Sequence, residues 1–213
     1  RVSLLEGCLP SVHLREGFHS REQPTLTVMA LIRSVFQDEL DGVSQSLVDQ
    51  CKLCAQQRDY NRRSSVDYSS DRTDDKSIWS FMGVLGEVAL LKYFNLDINW
   101  EYLSTDLGFC GVDVGDIWEV RAMSKFGNRL FLWSDEVTKS SKLAYAWSKV
   151  VVFPESGQCN VCGWAMGYEI AMNGIHAQYD CKRSSYFMDN SLLRPHRDPK
   201  QDQKEATRLH LLY

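Results

Sequence analysis

Two carboxylates and a guanidinium, Asp113, Glu119 and Arg121, stand close together in the stretch GVDVGDIWEVRA, residues 111–122. Carboxylate oxygens are ligands for hard divalent cations, and a guanidinium can grip a phosphate through two parallel hydrogen bonds. The chemistry this set could support depends on which face of the chain each side chain occupies. Val112 to Val114 and Trp118 to Ala122 are β-prone runs flanking Gly115 and Asp116, two residues suited to the dihedrals of a tight turn. A two-residue turn would pair Val112 with Glu119 and put a carboxylate on the apolar face. A three-residue loop, Gly115 to Ile117, pairs Val114 with Trp118, so that Val112, Val114, Trp118 and Val120 share one face while Asp113, Glu119 and Arg121 share the other. A slip of one residue inverts every side chain, so the apolar pattern selects the second register.

In that register Asp113 lies opposite Glu119, and like charges in directly paired positions are destabilising. A positive charge is expected between them: Arg121, which would make this an ordinary neutralised turn, or a divalent cation.

The surrounding elements must hold these groups in place. Apolar residues recurring at three and four from Leu31 to Cys51, continuing through CKLCAQQRDYNRR, predict one helix or a broken pair over residues 29–63. Residues 64–76 are polar and charged and read as a loop. Helical spacing resumes in SIWSFMGVLGEVALLKYFN, with Asp75 or Ser77 available as a cap. Gly83 and Gly86 inside this helix each cost about 1 kcal/mol relative to alanine, which points to close approach by a neighbouring element. Glu87, four residues from Gly83, lies beside that approach. Strands are expected at 128–133, at 149–153 (buried on both faces), at 161–165 and at 185–188. Short helices are expected over 136–147 and 166–172, and residues 201–213 read as a terminal helix or a docking tail.

The chain has 213 residues, 44% of them hydrophobic, and a net charge of −4. That is ordinary for one globular domain, with no apolar run long enough to span a bilayer and no signal-like start. An intracellular location and no membrane partner follow as expectations. Residues 1–28 read as an extension, a tag or a disordered segment, residues 29–195 as a single domain and residues 196–213 as a tail or helix. Seven cysteines without a secretion signal favour reduced thiols. Acidic net charge does not advertise nucleic-acid binding, yet a local basic patch would suffice for it.

A helix bearing Glu87, a hairpin bearing Asp113 and then Glu119-Val120-Arg121, a further strand, and a helix before the next strand give the order of the PD-(D/E)xK nuclease superfamily, which the chain resembles over residues 78–153. The resemblance implies an α/β (α+β) fold with a central mixed β-sheet flanked by helices, restriction-endonuclease-like, with residues 76–153 as the catalytic core and residues 29–63 as an N-terminal helical part. Val112 replaces a frequent proline and Arg121 the usual lysine. CGWAMG, Tyr186 and SLLRP also look like small proteins encoded by phages and metagenomes.

The same resemblance implies a metal-dependent deoxyribonuclease: Glu87, Asp113 and Glu119 as ligands of Mg²⁺ or Mn²⁺, and Glu87, Asp113, Glu119 and Arg121 as the catalytic set. Arg121 cannot act as a base near neutrality, since its pKa exceeds about 12; Lys125 is a substitute if the strand continues. Arg58, Asn61, Arg62, Arg63 and Arg72 are candidates for a phosphate track alongside Lys125, and Tyr60 for base stacking. The alternative is a catalytically inactive module that binds nucleic acid or assembles into a homo-oligomer or a phage particle. The pairs Cys51/Cys54 and Cys159/Cys162 have the ligand count of a zinc or iron–sulfur site, but the second pair diverges in a regular strand. The five histidines form no cluster in sequence.

Overall fold

The computed structural model describes residues 44–63, 76–105, 112–178 and 184–213. The expected segment 1–28, the beginning of the helical part before residue 44, Arg72 and Gly111 lie outside them. In chain order, α1 (Ser44–Arg63), α2 (Lys76–Tyr93) and α3 (Trp100–Ser104) precede β1 (Trp118–Met123), β2 (Leu130–Trp133), α4 (Ser134–Val137), α5 (Ser140–Ala144), β3 (Ala146–Phe153) and β4 (Gln158–Met166). Then come α6 (Gly167–Asn173), β5 (Ile175–Ala177), β6 (Ser185–Met188), a 3-10 turn (Asn190–Leu192), β7 (Arg194–Pro195) and α7 (Pro199–His210).

The main sheet is mixed, in the order β1-β3-β4-β7: β1 runs parallel to β3, and the other neighbours are antiparallel. The period-two pattern fixes which residues face α1 and α2. Val114, Trp118, Val120, Val150, Val152, Cys159, Val161, Trp164 and Met166 join Cys51, Cys54, Leu85, Val88 and Ala89 in one core. α2 comes very close to β1 at Gly86, where a Cβ would sit 3.0 Å from the Ala122 Cβ and 3.1 Å from Val120 Cγ1. The interior glycine thus has the expected packing reason.

The third strand departs from expectation. β2 is shorter than residues 128–133 and leaves the main sheet to form a second, antiparallel one in the order β2-β6-β5. The residues between β1 and β2 are mostly exposed and polar, so the ladder does not continue through them. Leu130, Leu132 and Met188 instead bury themselves against Met123, Trp147, Ala165 and Ile170 in a second core. The helix expected over 136–147 splits into α4 and α5, and β3 starts earlier, at Ala146, and is buried along nearly its whole length.

The C-terminal segment is a packed helix. Asp198 caps α7 by accepting hydrogen bonds from the amides of Lys200 and Gln201 (2.9 Å each), with Pro199 in the first turn. Ala206 and Leu209 are buried in the first core, and Trp118 Nε1 donates to Gln203 Oε1 at 2.7 Å. Among the described residues, no helix is long and apolar enough to cross a membrane.

Candidate functional site

The hairpin forms in the register that the apolar pattern selects. Val114 and Trp118 exchange backbone hydrogen bonds of 3.0 and 3.2 Å across Gly115–Ile117, with Gly115 at φ 57°. Among the described residues this is the one bridge before β1, and the Asp113 side chain takes the place of a further rung: its Oδ2 accepts from the Val120 amide at 2.7 Å.

Glu119 is 3% exposed, and its Oε1 accepts from the ammonium of Lys142, itself a buried side chain. Sequence reading missed Lys142. It lies on a five-residue helix without apolar periodicity, twenty-three positions from its partner. Its backbone is firmly placed: Lys142 O accepts from Trp147 Nε1 at 2.9 Å. Across the way, a Cβ on Gly167 would lie 2.8 Å from Leu143 Cα and 2.9 Å from Trp147 Nε1.

Burial, with the neighbouring Asp113 charge next, pushes the Glu119 carboxyl up to about 8 against the pull of Lys142 and Arg121. Burial likewise raises Asp113, against its bond from Val120 and the charges of Arg121, Lys142 and Arg58. Tyr102, whose hydroxyl donates to Val112 O at 2.6 Å, is raised first by burial and then by Asp113, Glu87 and Glu119. The three carboxylates therefore share one electrostatic neighbourhood.

They do not share one centre. Glu87 is held bidentately by Arg58, with Nη1 to Oε1 and Nη2 to Oε2 both 2.8 Å, and Arg58 Nε donates to Leu103 O at 2.9 Å. Gly83 lies beside the pair, where a Cβ would stand 3.7 Å from Arg58 Nη1, an ordinary contact. Among the described residues, no three His, Cys, Asp or Glu side chains lie close enough to hold one metal ion. The expected three-carboxylate ligand set is thus not assembled, because the buried guanidinium occupies both Glu87 oxygens. Asp113 and Glu119 each keep one oxygen without a hydrogen bond from a described residue. Burial, and for Glu119 the Asp113 charge, push both carboxyls toward their protonated forms. Two carboxylates of this kind fit a hard divalent cation; Glu87 does not join them.

Arg121 also departs from expectation. Its guanidinium pairs with Glu136 at the start of α4, its Nε donates to Phe131 O at 3.3 Å, and it lies over the Trp147 and Phe131 rings at 4.5 and 5.2 Å. Glu136 also accepts from the Trp133 amide at 2.8 Å. Arg121 is therefore fastened into the scaffold rather than open to a phosphate.

The expected phosphate track is not formed where its residues can be seen. Arg58 is buried, and Asn61 Nδ2 donates to Ser104 O at 3.1 Å. The Arg62 and Arg63 side chains lie outside the described set. Lys125 is exposed beyond the end of β1, so the strand that would have put it on the Glu119 face does not reach it. Tyr60 is exposed. The cysteine pairs diverge: burial pushes Cys51 and Cys159 up to about 12, with Cys51 acting on Cys159, whereas Cys162 faces Lys149. The strand geometry that separates Cys159 from Cys162 thus dismantles a four-thiol site.

One histidine has a role that sequence spacing hid. Ser148 Oγ meets His196 Nε2 at 3.0 Å, His196 Nδ1 meets Asp202 Oδ2 at 3.0 Å, and Tyr93 donates to the same oxygen at 2.6 Å. The order is that of a hydrolase triad, but Ser148 is fully buried and no substrate can reach it. The chain of bonds ties α7 to β3 and α2.

No protein-family model, no curated protein and no solved structure matches the chain.

Proposed function

We propose that the protein is a metal-dependent phosphodiesterase acting on DNA, with Asp113 and Glu119 as oxygen ligands for Mg²⁺ or Mn²⁺. The observation that carries this reading is the buried Glu119 carboxylate, bonded to Lys142 through one oxygen and near enough to Asp113 to be raised by its charge. A divalent cation held there would supply Lewis-acid polarisation of the scissile phosphate. Lys142 brings to Glu119 the ammonium that the hairpin lacks at position 121. From that place it can bind a phosphate oxygen or orient the attacking water through its protons. Arg121 serves the site by fixing β1 against Glu136, Trp147 and Phe131. Tyr102 stands at the rim, its hydroxyl bonded to the backbone just before Asp113.

A second reading, a nuclease-like module that binds nucleic acid without cutting it, draws on the Arg58–Glu87 pair, which removes one of the expected ligands. Incubation with single-stranded, duplex and branched DNA in Mg²⁺ and in Mn²⁺ separates the two. Cleavage that disappears in Asp113→Ala, Glu119→Ala and Lys142→Met is the expected result. Binding without cleavage supports the second reading, and cleavage that survives all three substitutions removes the assignment altogether.

A further inference from the structure

The two sides of α7 differ sharply in charge. Its inward line is apolar or closed: Ala206 and Leu209 lie in the first core, and the Asp202 carboxylate is taken by His196 and Tyr93. Opposite that line stand Lys200, Lys204 and Arg208, all exposed. A spacing of four residues lifts each cation about 6 Å along the axis and turns it by about 40°, so the three make one slanting stripe. Among the described residues none of them forms an ion pair, and both acids of the helix are committed elsewhere, Asp202 inward and Glu205 to Arg194 Nε at 3.1 Å. Like charges four residues apart on a helix destabilise it, and the stripe holds two such pairs. Lys200, in the first turn, also opposes the positive end of the helix dipole. The packing of Ala206 and Leu209 does not require this arrangement; an anion laid along the face relieves it.

The stripe leads toward the carboxylate site. His210 Nδ1 donates to the Ala144 carbonyl at 2.9 Å, at the end of α5, the helix that carries Lys142, and its ring stacks on Tyr145. Arg208 therefore belongs to the turn of α7 that reaches α5, and Lys204 and Lys200 follow one turn and two turns further away.

We propose that Lys200, Lys204 and Arg208 form a track for the phosphate backbone of the DNA that the Asp113 and Glu119 site cuts. The proposal rests on reading that site as a DNA phosphodiesterase, and it moves the phosphate track from α1 to α7. Charge selects the occupant: three unpaired cations on successive turns match a polymer that carries one negative charge per nucleotide. Such contacts position the strand without reading its sequence. An anionic membrane matches less well, because a helix lying on lipid buries an apolar face there, and the apolar face of α7 is already used in the core. Leu211 and Leu212 are exposed only beyond its last turn, and Tyr213 stacks on Tyr168.

Fluorescence anisotropy in EDTA tests the track without turnover, with a labelled single strand of mixed sequence and its duplex, each titrated at several KCl concentrations. Affinity is expected to fall linearly with salt on logarithmic axes. Each of Lys200→Gln, Lys204→Gln and Arg208→Gln is expected to flatten that line by about 0.7 on the single strand or about 0.9 on the duplex. Lys204→Arg keeps the charge and is expected to keep the wild-type slope. All three side chains are exposed, so thermal unfolding without DNA is expected to show the glutamine variants at least as stable as wild type, which separates a lost phosphate contact from lost structure. Unchanged slopes in all three glutamine variants, no binding to either DNA, or binding to phosphatidylserine vesicles but not to DNA overturns the track. Cleavage is assayed separately in Mn²⁺. Binding through the three cations without cleavage leaves the track and removes the phosphodiesterase reading; cleavage with unchanged slopes does the reverse.

Discussion

Two buried ion pairs on neighbouring elements illustrate two uses of the same charges. In Arg58–Glu87 the guanidinium fork matches the carboxylate, both oxygens are occupied, and the remaining Nε finds a backbone carbonyl. That pair joins α1 to α2 and to the end of α3. In Lys142–Glu119 a single ammonium meets one oxygen of a carboxylate that a second acid crowds. Burying charge is costly in both places. The first pair is satisfied by its own partners; in the second, burial and the Asp113 charge push the Glu119 carboxyl toward its neutral form, so a proton and a cation compete for it. Satisfaction marks a structural joint; a carboxyl poised between proton and cation marks a place for chemistry.

Removing one cation from each pair tests this directly. Arg58→Ala removes both guanidinium bonds from the buried Glu87 carboxylate and is expected to destabilise the protein by about 3–5 kcal/mol, as for a broken buried pair. Lys142→Met leaves Glu119 already raised toward neutrality by burial and Asp113. Its cost is expected to be smaller, about 1–3 kcal/mol, with cation binding lost. Urea unfolding of both variants with and without Mn²⁺ measures the difference. Equal destabilisation would erase the distinction.

A subtler disturbance sharpens it. In Gly167→Ala the new methyl meets the backbone of α5 at Leu143 and the Trp147 ring, so α5 must shift and carry Lys142 with it. Overpacking of this kind costs about 1–3 kcal/mol. Titration with Mn²⁺ followed by thermal unfolding is expected to show a weakened response, while Arg58–Glu87 stays intact. An unchanged metal response would separate Lys142 from cation binding.

The smallest effect belongs to a third buried network, which resembles the Arg58–Glu87 joint in being closed. Burial holds His196 below its ordinary value of 6.5, against the pull of Asp202. The unfolded chain therefore binds a proton that the folded chain refuses. The stability from this group is complete above about pH 6.5 and is lost as pH falls from there toward the folded value. Asp202 and Ser148 face the ring by hydrogen bonding, Tyr93 donates to the same Asp202 oxygen, Asp198 acts on Tyr93, and Tyr93, Trp118 and Phe94 pack against the ring. Urea midpoints between pH 5 and pH 8 should flatten in His196→Gln; an unchanged slope would place the acid sensitivity elsewhere.

These contrasts follow what the sequence could reveal. The hairpin register was legible because alternation has a period of two, and Val114, Trp118 and Val120 could be buried together in only one way. Gly86 was legible because a glycine within a helix needs a reason, and Ala122 and Val120 supply it. The divergence of Cys159 and Cys162 came from the same pleat. Pairings across long stretches of chain left no local trace. Arg58 and Glu87 lie on different helices, each on a pattern that fits a solvated or a catalytic charge equally well. Lys142 sits in a helix too short for periodicity to speak. The departure of β2 to join β6 rests on Leu130, Leu132 and Met188, whose shared core becomes visible only when strands more than fifty residues apart are brought side by side.

Arg121 has one further consequence. Its backbone belongs to the edge of one sheet, while its head group is gripped by a ring, a carbonyl and a carboxylate from the strand and helix of the other. It acts as a tie rod across the corner where the sheets meet. A push on Phe131 is thus transmitted through a single rigid side chain to the strand that carries Glu119, and the two layers shift there as one piece.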